Sequence, residues 1–430
     1  MAAPASPAAH APSWYAADTE AFPAMPRLQG AHDADVVVLG AGLTGLSAAI
    51  ELAERGYRVI VVEAQRIGWG ASGRSGGQLI FGYGCDTGKI AALIGRDDAR
   101  RLFDWSVEGV DLVAERIGRY GIDCDLRRGH AHAAIKPRQV DELKAWQGEL
   151  EQHYGYGGTE LWDRPRLRRA LASDRYRALL FDPRSGHLQP LAYTQGLARA
   201  ALALGVQIYE GSRVLSVDDG DPVVFRTAEG EVRARFGVLG GNAWLDDLVP
   251  ALERKIMPVG TYICATESLG AARARALIGN DMAVADINFV LDYFRLSRDH
   301  RMLFGGRVSY SRLPPPGLGA RMRQRMVEVF PQLGDVRLEY VWGGYVDITM
   351  NRAPHFGRLR PNLYFAQGFS GHGIAATGLA ARVIAESIAG QAERLDVFAR
   401  IPHRDFPGGK LLRTPALVLA MLWYRLKDHL

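Results

Sequence analysis

The chain of 430 residues is 48% apolar and 23% charged, enough for a large core split over two or three domains and ordinary for a soluble globular protein. Its 52 basic and 47 acidic residues leave a mild net charge of +5. The densest basic stretch (Arg164, Arg166, Arg168, Arg169) lacks interleaved aromatics and reads as a solvated helix start, so no nucleic-acid partner is expected. Cys85, Cys124 and Cys264 stand in no CxxC or metal-ligand spacing, which excludes a disulfide framework, leaves no metal site expected and points to the cytoplasm.

Residues 1–12 are rich in Ala and Pro without the basic and apolar regions of a signal peptide. They read as a loose tail within an N-terminal arm of residues 1–32. Residues 35–39, Asp-Val-Val-Val-Leu, form a short apolar run ending at Gly40, the pattern of a buried parallel strand. Leu43, Leu46, Ile50 and Ala53 then recur at helical spacing up to Gly56, and residues 58–62 form a second apolar run ending at Glu63. This strand–helix–strand unit opens a doubly wound sheet of the α/β class.

Further along, 100–119 and 188–204 read as helices, and 206–209 and 236–241 as strands. Residues 293–296 and 302–304 read as antiparallel strands, 363–367 as the last apolar strand and 374–388 as the last helix. Pieces of one domain therefore return at the start, middle and end of the chain. The expected division is a Rossmann-like nucleotide-binding domain over 33–85, 185–250 and 350–395. An α+β substrate domain with a mixed or antiparallel sheet is inserted over 86–184 and 251–349, and 396–430 form a C-terminal extension. No apolar run reaches the ~20 residues that span a bilayer. Residues 416–424, between Arg413 and Arg425, read as a terminal helix docked on its own protein in preference to a peripheral membrane contact.

Gly40-Ala41-Gly42-Leu43-Thr44-Gly45 is a GxGxxG turn between strand and helix. Gly40 permits the tight turn, Gly42 lets a pyrophosphate approach the backbone, and Gly45 lets helix and strand pack closely. The helix start offers free N–H groups and a partial positive charge to phosphates. Glu63 can bond both ribose hydroxyls and would repel a 2′-phosphate. The fingerprint stands near the N-terminus, and five glycines fall within residues 66–78, just after Glu63. That arrangement favours FAD over NAD. The cofactor-binding candidates in this stretch are Ala64, Gly70, Ala71, Ser72, Arg74, Ser75, Gly76, Gly77 and Gln78, with Val214 placed beside them. At the other end, Gly371, Gly373 and Ile374 form a helix start able to stabilise the negative charge of reduced flavin. His372 is the catalytic candidate there. Lying among glycines, it reads as packing and electrostatic support in preference to a general base.

These motifs resemble the D-amino-acid oxidase and glycine oxidase superfamily over roughly residues 33–400. Within it the chain is most similar to the gamma-glutamylputrescine oxidases, on Ser13-Trp14-Tyr15, residues 291–297, 303–307 and 342–354, and the tail 400–404. The resemblance implies hydride transfer from an amine-bearing carbon to FAD, giving aldehyde, ammonia and hydrogen peroxide, with oxygen or another acceptor taking the electrons. Amino-acid oxidases of the superfamily carry an Arg that grips the substrate carboxylate. Aligned on Trp342, Gly344, Thr349, Pro354 and Gly357, that position is Val346 here, which favours an amine substrate. Asp347 follows it and is the second catalytic candidate and a candidate for the substrate ammonium; a turn-capping role is the alternative. Arg295, Arg307 and Tyr345 are the remaining substrate-binding candidates. The cysteines are not placed to link a flavin, so non-covalent FAD is expected. Two rival readings stay open: an N-methyl amino-acid oxidase or D-amino-acid dehydrogenase, and a non-catalytic flavin-binding subunit.

Overall fold

A computed structural model describes residues 7–288, 290–309 and 315–408, with backbone alone at 307–309. The helix expected at 416–424 lies outside the described residues. The first apolar run belongs to a longer strand, Gly30–Leu39, at the centre of a parallel array. In spatial order this sheet runs His355–Arg360, Leu363–Gln367, Gly230–Leu239, Gly30–Leu39, Val59–Val62 and Gln207–Tyr209. Only the first of these strands is antiparallel to its neighbour, and Val223–Arg226 adds an antiparallel extension on Gly230–Leu239. The two-residue period of Gly30–Leu39 divides its side chains between two cores. Val36 and Val38 join helices Leu43–Ala53 and Gly373–Ile388, whereas Val37 meets Val223, Phe225 and Leu363.

The second sheet is mixed, as expected. Its order is Leu338–Thr349, Ile256–Thr266, Met302–Ser309, Tyr293–Leu296, Ala283–Asp286, Arg127–Ala134, Ala178–His187 and Gln78–Leu79. Only Ala283–Asp286 against Arg127–Ala134 is parallel. Packing crosses the division drawn from sequence. Helix Arg96–Tyr120 lays an apolar stripe (Leu102, Phe103, Val110, Val113) against the nucleotide-binding helices, and Arg116 bonds Glu51 and Ser47 at 2.8 and 2.9 Å. Gln78–Leu79, too short to show a pattern, pairs with Ala178–His187 in the second sheet.

Residues 7–12 are not a loose tail. Ala8 N donates to Gln65 Oε1 at 2.6 Å, and Trp69 Nε1 donates to Ala9 O at 2.9 Å. The short helix Trp14–Asp18, capped by Ser13, buries Trp14 and Tyr15 among Leu191, Ile263, Leu303 and Trp342. The arm thus straps the two sheets together. The basic cluster begins helix Arg164–Ala170, and Arg166 and Arg168 pair with Glu160 and Asp174.

Candidate active site

A cavity of about 590 Å³ opens where the ends of Gly30–Leu39 and Val59–Val62, marked by Leu39 and Val62, face the second sheet. Ligands of open α/β sheets bind at this end of the strands. The glycine fingerprint reaches it as a strand–turn–helix. Gly40 adopts φ +97°, and Gly42 is the N-cap of helix Leu43–Ala53. Gly40, Gly42, Leu43 and Thr44 line the cavity; Gly45 does not. A Cβ at Gly45 would lie 1.8 Å from Gly40 O, so glycine there is what lets the helix seat on the strand. At Gly42 a Cβ would meet only the flexible Ser72 Oγ, at 2.7 Å, in space facing the cavity.

Glu63 lines the cavity with Ala64. Its carboxylate accepts from Ala41 N and Gln65 N, both at 2.7 Å, and burial raises its pKa despite these bonds. Gly70, Ala71, Ser72, Ser75, Gly76, Gly77, Gln78 and Val214 are also in the wall. Arg74 is not; it lies 4.3 Å over the Trp69 ring, with Nε donating to Trp69 O at 2.7 Å. On the far side Gly371, His372, Gly373 and Ile374 bring the start of helix Gly373–Ile388 to the cavity. Burial holds the His372 imidazole down at about 4, so it is neutral at neutral pH. The residues present fit FAD: a side-chain-free helix start for phosphates, a carboxylate at the next strand end, and a long cavity reaching a second helix start.

Over residues 35–387 the chain matches the family described as FAD dependent oxidoreductase, DAO. It belongs to that family. The FAD-dependent oxidoreductase is 43% identical to gamma-glutamylputrescine oxidoreductase of Escherichia coli, over 98% of this chain and 99% of the relative. It is 44% identical to a probable oxidoreductase OrdL of Haemophilus influenzae, over 94% of each. Glycine oxidase from Geobacillus kaustophilus shares the fold, with TM-score 0.73 and 21% identity over 87% of this chain and 100% of that one. FAD is the cofactor of this family.

The second sheet supplies the rest of the oxidoreductase's cavity wall. Val346 lies in it beside Asp347 and Ile348. Asp347 is 2% exposed, and its carboxylate is taken up by the protein. Gly368 N donates to Oδ2, Asn242 presents its amide nitrogen to Oδ1 at 2.8 Å, and Ser370 N donates to the Asp347 carbonyl at 3.0 Å. Burial nevertheless pushes the carboxyl up to about 6. Asp347 thus joins the 240–242 and 368–370 turns, as the turn-capping alternative expects, from a position in the cavity wall. Tyr345 stands one layer back, edge-on to the wall residue Trp244 at 5.4 Å. Arg295 is buried behind the wall, with its donors on protein oxygens, which removes it from the substrate role expected of it. The Arg307 side chain lies outside the described residues.

Several further wall residues were not among the site candidates read from the sequence. His132, Tyr293 and Asp286 arrive through sheet register: Ala285 pairs with both His132 and Tyr293, and Asp286 is next along the strand. Burial, reinforced by Asp292, pushes the Asp286 carboxyl up to about 7, and its Oδ2 has no partner. Asn242 and Trp244 follow the Gly240-Gly241 pair, a turn signal that could have marked them. Arg352 comes from the turn after Leu338–Thr349. None of the three cysteines lines the cavity, and burial raises all their thiols to about 12. Among the described residues no His/Cys/Asp/Glu cluster could hold a metal, and no helix is long and apolar enough to cross a membrane.

Proposed function

We propose that this oxidoreductase oxidises the primary-amine end of gamma-glutamylputrescine in the cytoplasm, yielding an aldehyde, ammonia and, with oxygen as acceptor, hydrogen peroxide. The observation that carries this reading is Val346 in the cavity wall, at the position where related amino-acid oxidases hold a carboxylate-gripping Arg. The identity of 43% along nearly the whole of an enzyme named for that substrate supports it. FAD, when bound non-covalently, supplies the acceptor for a hydride from the amine-bearing carbon, and the resulting imine hydrolyses in water.

The chain's own groups bind, orient and adjust protons. The start of helix Leu43–Ala53 and Glu63 are assigned to the pyrophosphate and a ribose, and residues 371–374 to the developing negative charge. Asp286 and Arg352 put opposite charges into one wall, which suits a substrate carrying both an ammonium and a carboxylate. A carboxyl near 7 is matched to taking the ammonium proton, so that the amine is neutral when its hydride leaves. Anaerobic mixing with gamma-glutamylputrescine, putrescine, glycine and D-alanine tests the reading. The flavin should bleach fastest with the glutamylated amine; bleaching by glycine or D-alanine but not by that amine would overturn it.

A further inference from the structure

Arg295, on strand Tyr293–Leu296, is 2% exposed and among the largest fully buried side chains. Its Nε donates to Gly76 O at 2.9 Å and its Nη1 to Leu296 O at 3.2 Å. Nη2 donates to Leu188 O at 2.9 Å and to Tyr15 Oη at 3.3 Å. All four acceptors are neutral, and among the described residues no carboxylate forms an ion pair with it; Asp281 feels its charge without touching it. A buried cation without a contacting counter-ion is costly and rare in a core.

What it holds is part of the cavity wall. Gly76 and Gly77 both line the cavity. A Cβ at Gly76 would come 2.6 Å from the Tyr293 ring, and one at Gly77 would come 2.0 Å from Leu188 O. Gly77 also sits at φ +72°, and its carbonyl accepts from Leu188 N at 2.8 Å. The wall is therefore one backbone layer thick here, pressed between the cavity and the guanidinium.

We propose that Arg295 is a positioning residue for FAD that fixes the Gly76–Gly77 wall and, as a buried cation without a contacting carboxylate, raises the cofactor's reduction potential. Reduction places negative charge on the flavin, and a fixed positive charge across a thin, poorly solvated layer favours that form. The proposal rests on FAD occupying this cavity; a parent protein that binds no FAD overturns both readings together, whereas a flavin-loaded parent isolates this one.

The test is spectroelectrochemical titration of FAD-loaded parent, Arg295→Gln and Arg295→Lys, with FAD dissociation constants measured alongside. Arg295→Gln should shift the oxidised-to-reduced ratio at a fixed potential about tenfold toward oxidised, about 30 mV for a two-electron couple. Arg295→Lys keeps the charge and should keep the parent potential. Lacking the planar fork, it should still weaken FAD binding by about tenfold. A purely structural residue would move the dissociation constant and leave the potential alone, so a parent potential in Arg295→Gln overturns the electrostatic role. If Arg295→Gln does not fold, Arg295→Lys decides: parent affinity with a parent flavin circular-dichroism spectrum overturns the positioning role.

Discussion

Gly42 and Gly45, three residues apart, do different work in the fingerprint, and single substitutions separate them. A Cβ at Gly42 meets only Ser72 Oγ, so Gly42→Val should fold yet purify without flavin, because the branched side chain takes the phosphate's space. At Gly45 the obstacle is the Gly40 carbonyl, which cannot swing away. Gly45→Ala should therefore lower the melting temperature as well, at a cost of about 1–3 kcal/mol or more. Flavin absorbance per protein and thermal melting read both, and a fully flavinated Gly42→Val would refute the phosphate assignment. Asp347 makes a third case. If its carboxylate met the substrate ammonium, Asp347→Asn would raise KM about tenfold or more with stability unchanged. The clamp on the 242 and 368 turns predicts the reverse: KM within about threefold, with altered melting and FAD content. The candidate was visible in the sequence as the residue after a missing Arg; its role was not, because Gly368 and Asn242 are 21 and 105 positions away.

Elements meet in places that a linear division does not show. Helix Arg96–Tyr120 reads as amphipathic from its sequence, but an apolar stripe does not name its partner. Arg116 identifies it, reaching Glu51 of helix Leu43–Ala53 with side chains 4% and 5% exposed. Burial raises the Glu51 carboxyl, but Arg116, Arg55 and Arg382 outweigh it and hold the pKa below its usual value. Arg116→Met should cost about 3 kcal/mol, the scale for breaking a buried ion pair, and Arg55 and Arg382 should keep it from costing more. Chemical denaturation checks this, and a loss near zero would show the pair to be dispensable. The N-terminal arm works between elements in the same way. Removing residues 1–20 strips Tyr15 from Arg295 and Trp342, and the Ala9 carbonyl from Trp69. The truncated protein should lose FAD faster on dilution than the parent; equal release rates would show that the strap does not reach the cofactor.

The whole molecule carries a pH dependence set by buried imidazoles. Burial lowers His187 to about 3, His355 to about 2 and His403 to about 4, and none of them lines the cavity. Each folded value lies below the ordinary 6.5, so the unfolded chain binds more protons as pH falls. Their contribution is fully present above pH 6.5 and is lost as pH drops from there through about 4, 3 and 2 for His403, His187 and His355. Asp347 has the opposite sign. Its folded value near 6 exceeds 3.8, so folding gains on acidification through that window. Asp286, near 7 against 3.8, acts in the same sense as Asp347, but His132 near 3 and His372 near 4 add to the three imidazoles, so five histidines outweigh two carboxyls and the melting temperature should fall from pH 7 to pH 5. Asp347→Asn should make that fall steeper. A flat profile would mean that these imidazoles are hydrated in the folded protein.

By itself the sequence determined the cofactor class and the framework that holds it, because that chemistry is local. The strand, the GxGxxG turn, the helix start and Glu63 lie within about thirty residues, and period and glycine placement specify them. The antiparallel strands at 293–296 and 302–304 and the last strand–helix pair were legible for the same reason. The Val346 departure was legible as a residue type at a motif position. Only the tertiary structure decided what surrounds those pieces. Strand register put His132, Tyr293 and Asp286 into the wall, and the packed arm turned an apparent tail into a strap. Four neutral oxygens drew the Arg295 guanidinium behind the wall, although its sequence context suggested a substrate contact. Hydrogen-bond partners hundreds of positions apart leave no periodic trace, and a buried charge is recognised by its surroundings, which exist only once the chain has folded.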